Sequence, residues 1–190
     1  MRTLLAAAVA GLFGASPATA AVIDFNAIAG PTFPSPVIED GFTLTSSGPV
    51  FIHGVMTGSS AFIAGAISSS VSLEITRAAL FTLDQLVIGR HSSPQDSFAP
   101  VGPVTVAGFS GATLLATDVF AIPFGLFTTH VSSNLSGVGV DRLVVSFTSS
   151  SLVVQGVDDL VLSNFVPAPE PASAALLLAG VLGLVGRRRG

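Results

Sequence analysis

Two adjacent acids, Asp158-Asp159, interrupt the apolar stretch Leu152–Leu162. Neighbouring residues of an extended strand point to opposite faces, so one of the two carboxylates turns inward, and a buried carboxylate requires hydrogen-bond donors or a cation. Joined by Asp24 or Asp40 and by backbone carbonyls, the pair offers the oxygen ligands that a hard divalent cation prefers. The expectation is a structural calcium on Asp24, Asp158 and Asp159; in the competing arrangement one aspartate bonds loop amides and the other is solvated. No other cofactor is indicated. His53, His91 and His130 lie far apart and show neither H-x-H nor H-E-x-x-H spacing, so nothing places two imidazoles on one metal. Serines are abundant, yet no G-x-S-x-G turn presents one as a nucleophile, and a triad is defined by geometry rather than by inventory. Glu39-Asp40 are sequence neighbours, with no spacing that marks two carboxylates facing each other across a sugar. The chain is therefore read as non-catalytic, with no catalytic residue assigned.

The elements that carry these residues follow a period of two. Val71, Leu73 and Ile75 alternate with Ser70, Ser72, Glu74 and Thr76, which puts apolar groups on one face of a sheet and polar groups on the other. Similar strands are expected at 22–25, 41–45, 50–53, 81–88, 104–109, 113–120, 142–147 and 152–162. Turn clusters such as Gly30-Pro31, Ser47-Gly48-Pro49 and Gly102-Pro103 separate them. No helical period appears in this region. Short strands spaced roughly 8–12 residues apart, without helical crossovers, predict an all-β antiparallel sandwich, jelly-roll-like, spanning Ala21–Val166. Phe is the only aromatic type; Phe42, Phe51, Phe98, Phe109, Phe124 and Phe127 are read as core, and Phe120–Phe127 as a connection folded into it. The opening Ile23-Asp24-Phe25 and the late Val157-Asp158-Asp159-Leu160-Val161-Leu162 resemble the bracketing strands of jelly-roll domains found in secreted bacterial proteins and carbohydrate-binding modules.

Both ends carry addresses. Met1-Arg2-Thr3 precedes an apolar run from Leu4 to Phe13 that closes on Ala18-Thr19-Ala20, the order of a secretory signal helix; cleavage by signal peptidase is expected after Ala20. At the other end Pro167-Ala168-Pro169-Glu170-Pro171 holds the chain extended and open to a processing enzyme. The uncharged stretch Ala172–Gly186 follows, then Arg187, Arg188 and Arg189. As a helix the stretch suits lipid, although it is about five residues short of the roughly 20 that span a bilayer. The arginines favour the cytoplasmic side, which places the preceding domain outside. Residues 167–190 resemble the PEP-CTERM sorting signal, in which a Pro-Glu-Pro motif precedes a transmembrane helix and a terminal arginine cluster. The resemblance makes Pro169, Glu170 and Pro171 the motif. It implies an exosortase as partner, a Gram-negative cell that makes exopolysaccharide, and a transient hold in the inner membrane before delivery to the cell surface or extracellular matrix.

Between the two addresses the domain carries ten acids against three bases, Arg77, Arg90 and Arg142, a net charge of −7 where the whole chain carries −4. Such a surface repels nucleic acid. With no cysteine, disulfides, thiolate catalysis and cysteine-ligated metals are excluded. The leading expectation is a structural or adhesive surface protein in contact with exopolysaccharide. A lectin-like carbohydrate-binding module is the alternative, and a polysaccharide hydrolase or lyase comes third.

Overall fold

The computed structural model describes residues 20–26, 36–48, 50–55, 59–64, 70–91, 102–122, 127–147 and 154–165, with backbone alone for 50–55, 59–64, 90, 91 and 154. The signal helix with Ala18, the Pro169-Glu170-Pro171 motif, the tail helix and Arg187–Arg189 lie outside the described residues. Within them the chain forms eleven strands: β1 (Ala20–Ile23), β2 (Val37–Glu39), β3 (Phe42–Ser46), β4 (Val50–Val55), β5 (Ser59–Ala64), β6 (Val71–His91), β7 (Val104–Ser110), β8 (Thr113–Phe120), β9 (Thr128–Val131), β10 (Val140–Phe147) and β11 (Val154–Asn164). All the pairings among them are antiparallel.

The organising element is β6, whose 21 residues serve both layers of the sandwich. Sequence periodicity divides this stretch at residues 77–80. However, Arg77-Ala78-Ala79-Leu80 contains no Gly or Pro, so the backbone stays extended and only its partners change. The first half pairs with β3 and β10, through Leu44↔Ile75 and Val145↔Leu73. The second half pairs with β11 and β9, through Leu162↔Leu83 and Val87↔Thr129. One layer therefore runs β8-β7-β10-β6-β3-β2; in the other, β11 takes β6 on one side and both β5 and β1 on the other.

Alternation then fills the space between the layers. Phe42, Leu44, Leu73, Ile75, Val106 and Val145 face Ile23, Leu83, Leu86, Ile88, Val157 and Leu160, all fully buried, and each such side chain is worth roughly 1.5–3 kcal/mol on leaving water. Phe42 meets Phe81 edge to face, with centroids 5.0 Å apart. Along one side the sandwich is closed by the loop after β9, whose Leu135 is buried over Gly108; a Cβ at Gly108 would stand 2.4 Å from the Leu135 side chain.

One tight turn and one bulge set the positions of the acids. Asp40 and Gly41 both have positive φ, 48° and 80°, the signature of the type I′ turn that joins β2 to β3. In β11 the register against β6 slips between Asp158 and Val161, and Asp159 takes φ 42°.

Candidate functional site

At the end of β1 the chain turns sharply: Phe25 is buried with φ 57°, a costly conformation for a bulky residue. Glu39 holds it there. Its Oε1 accepts the backbone N–H of Asp24 at 3.1 Å and of Phe25 at 3.2 Å. Glu39 is only 9% exposed, and its Oε2 is buried without a hydrogen-bond partner. Burial, reinforced by the Asp24 carboxylate and partly offset by the two amide bonds, raises the Glu39 pKa above the ordinary carboxyl value. Asp24 shifts the other way, lowered chiefly by Asn26, whose amide donates to its Oδ1 at 3.0 Å. Asp159 is raised by burial and by the field of Asp24.

Of the three aspartates expected on a cation, Asp24 and Asp159 thus lie in each other's field. Asp158 is 1% exposed, and its Oδ1 accepts the Asp159 amide at 2.9 Å. The inward turn expected of one member of the pair is made by Asp158. Among the described residues, no group of three or more His, Asp or Glu side chains is arranged to hold a metal ion.

Beside this cluster lies an open recess of about 380 Å³ lined by Ala20, Ala21, Asp40, Arg77 and Asn164. Its polar groups come from three places that the fold brings together: the β2–β3 turn, the point where β6 changes layer, and the end of β11. Arg77 is fixed twice. Its guanidinium lies 5.0 Å from the centroid of the Phe42 ring, and its Nη1 donates to Asn164 Oδ1 at 2.6 Å. Ala20, expected at the signal cleavage point, opens β1 and pairs with Ser163.

The outer face of the first layer carries a second polar patch. Phe109, expected in the core, points outward beneath Arg142, whose guanidinium is 4.1 Å from the ring centroid; Arg142 also reaches Glu74 at 3.5 Å. The expected phase fails here because inward positions of β7 are Val104, Val106 and Gly108, leaving Phe109 on the opposite side. Phe127 is half-buried and rests over Gly89, while Phe120 packs at the core's edge. The side chains of Phe51, Phe98 and Phe124, and of His53 and His91, lie outside the described residues. His130 contacts Thr128 Oγ1 at 2.9 Å and the Phe120 ring at 5.3 Å between centroids.

Asp118 is a charged hub that periodicity alone passes over. It occupies an inward position of β8, opposite Val106, and is 2% exposed. Its carboxylate accepts the hydroxyls of Ser132 at 2.6 Å and Ser133 at 2.9 Å and the amides of Asn134 and Leu135 at 3.1 and 3.3 Å. Burial alone would raise its pKa; these donors outweigh it and hold the pKa below the usual value. The signal available in sequence is an acid at the inward phase of a strand, followed by Ser132-Ser133-Asn134.

No family model matches this chain, and no curated protein does. Solved structures with a similar chain path include a family 29 carbohydrate-binding module from Piromyces equi, 14% identical over 78% of this chain and 91% of that one, with a TM-score of 0.47. The family 32 module of C. perfringens NanJ, solved with galactose, is 10% identical over 64% and 93%, with a TM-score of 0.41. A Stig cyclase from Fischerella is 16% identical over 80% and 100%, with a TM-score of 0.48. All three TM-scores lie below 0.5, and no site or activity is carried over from any of these proteins.

Proposed function

We propose that this chain is an exported, non-catalytic carbohydrate-binding module of jelly-roll type, cleaved by signal peptidase after Ala20 and sorted through its PEP-CTERM-like tail by an exosortase. The observation that carries the binding reading is the recess. Asp40, Arg77 and Asn164 set planar acceptors and donors around an open space of about 380 Å³, the kind of polar set that hydroxyl-rich ligands use for orientation. The guanidinium is pre-positioned by Phe42 and Asn164, so little side-chain freedom is lost on binding. Support for the sorting reading comes from the sequence order of motif, apolar stretch and arginines.

Binding is tested on a glycan array with the exported protein and its Arg77→Ala and Asn164→Ala variants. Saturable binding to a defined glycan that both substitutions weaken is expected; absence of binding to any glycan leaves the structural and adhesive role instead. Sorting is tested by a label on the C-terminus, which should leave the mature protein in cells with an active exosortase. Retention of Arg187–Arg189 there overturns the sorting reading. The structural calcium expected on Asp24, Asp158 and Asp159 is addressed by the melting experiments below.

A further inference from the structure

Two of the five residues that line the recess, Ala20 and Ala21, flank the bond that signal peptidase is expected to cut. We infer that signal removal finishes the binding site: the α-ammonium released at Ala21 joins the Arg77 guanidinium, and the two cations together hold the carboxylate of an acidic sugar. This rests on the reading that cleavage falls after Ala20 and that the recess takes carbohydrate.

In the uncut chain the Ala21 nitrogen is a neutral amide and Ala20 occupies part of the wall. Hydrolysis of the Ala20–Ala21 bond places the hydroxyl of water on the Ala20 carbonyl carbon and a proton on the Ala21 nitrogen, which protonates again at neutral pH. Ala20 departs with the leader, so the space it filled opens at the point where the new charge appears. The ammonium is held in position, because Ala21, Val22 and Ile23 stay paired with Leu162, Val161 and Leu160 of β11. In the same lining the Arg77 charge is held by a neutral partner, Asn164 Oδ1, and by the Phe42 ring. The ion pair formed among the described residues is elsewhere, between Arg142 and Glu74. Asp40 is exposed on the rim, where its carboxylate can accept a sugar hydroxyl. After cleavage the lining of the recess holds two cations against one acid, in a domain whose net charge is −7. That contrast selects a ligand that carries its own negative charge at a short reach from hydroxyls, the chemistry of a uronate, over a neutral hexose.

The test uses the full chain exported through its own signal and purified in detergent, beside a version with Gly-Ser inserted between Ala20 and Ala21. The insertion preserves the Ala18-Thr19-Ala20 cleavage triplet but moves the ammonium about 7 Å away along an extended chain. Intact mass first establishes the mature N-terminus, and a start other than Ala21 overturns the cleavage reading by itself. Calorimetry then compares an oligomer of glucuronic acid with the matching glucose oligomer. The Ala21 protein is expected to bind the uronate at least tenfold more tightly than glucose, and the insertion to lose at least tenfold in uronate affinity with an unchanged melting temperature. Uronate affinity should also fall above pH 8, as an α-amino group of ordinary pKa, about 7.7–8.0, loses its proton. Equal uronate binding by the two proteins overturns the inference while leaving the carbohydrate reading intact. Binding of neither oligomer by either protein overturns both.

Discussion

Replacing Glu39 by Gln is expected to stabilise the domain at neutral pH. The Gln Oε1 keeps both acceptor bonds, to the amides of Asp24 and Phe25, so the turn at the end of β1 retains its support. The buried Oε2, which has no partner, becomes an NH₂ group beside the Asp24 carboxylate and gains an acceptor. A buried polar atom left unsatisfied costs about 1–3 kcal/mol, so the gain at pH 7 is expected at about 1–2 kcal/mol, or on the order of 5 °C in melting temperature for a domain of this size. Protonation gives the sign of the pH dependence. A carboxyl whose pKa is raised by folding contributes stability that is present below its ordinary value and lost as pH rises through the raised value. The wild type therefore gives up this contribution on going from acid to neutral pH, and Glu39→Gln does not. The two proteins should melt together in acid and separate as pH increases. Thermal unfolding followed by circular dichroism between pH 4 and 8, in chelator, measures this directly. Glu39→Ala serves as the control: it strips both amides of their acceptor and should lie about 2 kcal/mol below Glu39→Gln at every pH. If Glu39→Gln unfolds at or below the wild-type temperature at pH 7 in chelator, the reasoning about the orphaned oxygen is wrong.

Asp118→Ala removes the acceptor of two hydroxyls and two amides and should cost about 3–5 kcal/mol in denaturant unfolding, because hydrogen bonds to a charged group are worth about 1.5–3 kcal/mol each and do not add fully. With the Asp118 pKa lowered, its contribution is present above the ordinary aspartate value and is lost as pH falls through the lowered one; wild type and variant should therefore converge in strong acid, and a constant gap refutes the assignment. Gly108→Ala drives a methyl to within 2.4 Å of Leu135 and 2.8 Å of Val140 and should destabilise by about 1–3 kcal/mol; an unchanged melting temperature would show that the loop plug yields freely. Millimolar calcium should raise the melting midpoint relative to chelator if Asp24 and Asp159 hold the ion, and identical midpoints remove calcium from the proposal.

The β-sandwich is legible in the sequence wherever alternation is clean. The stretch 113–120 is read from the pattern with the bounds the fold gives it, and 104–109 and 142–147 fall within a residue or two of β7 and β10. Three strands escape the pattern for separate reasons. In β2 only three residues precede the turn, too few to alternate, although Asp40-Gly41 is itself the dipeptide that a type I′ hairpin asks for. The sequence of β5, Ser-Ser-Ala-Phe-Ile-Ala, lacks a period of two, and β9 is four residues paired, among the described residues, to β6 alone. At the candidate site, the inward turn of one member of Asp158-Asp159 is legible, whereas the recess is not. Ala20, Asp40, Arg77 and Asn164 are brought together by the β1–β11 pairing, the β2–β3 turn and the change of partner along β6, none of which leaves a local trace in composition. Glu39 is legible only as an acid; its role depends on the positive φ of Phe25, which no residue preference announces.

The pairing of β11 on both sides has a mechanical meaning. The strand runs between β6 on one flank and β5 and β1 on the other, and it leads directly into the tail. A pull on the tail loads β11 along its length, so its cross-strand bonds resist together in shear instead of opening one at a time, as they would on an edge strand. A ligand in the recess pulls from nearly the same point, because Asn164 ends β11 and β1 is laid beside it. Tension between a tethered C-terminus and a bound polymer would then pass through the Arg77–Asn164 contact and the pairing of β11 with β6 and β1, close to where β11 ends.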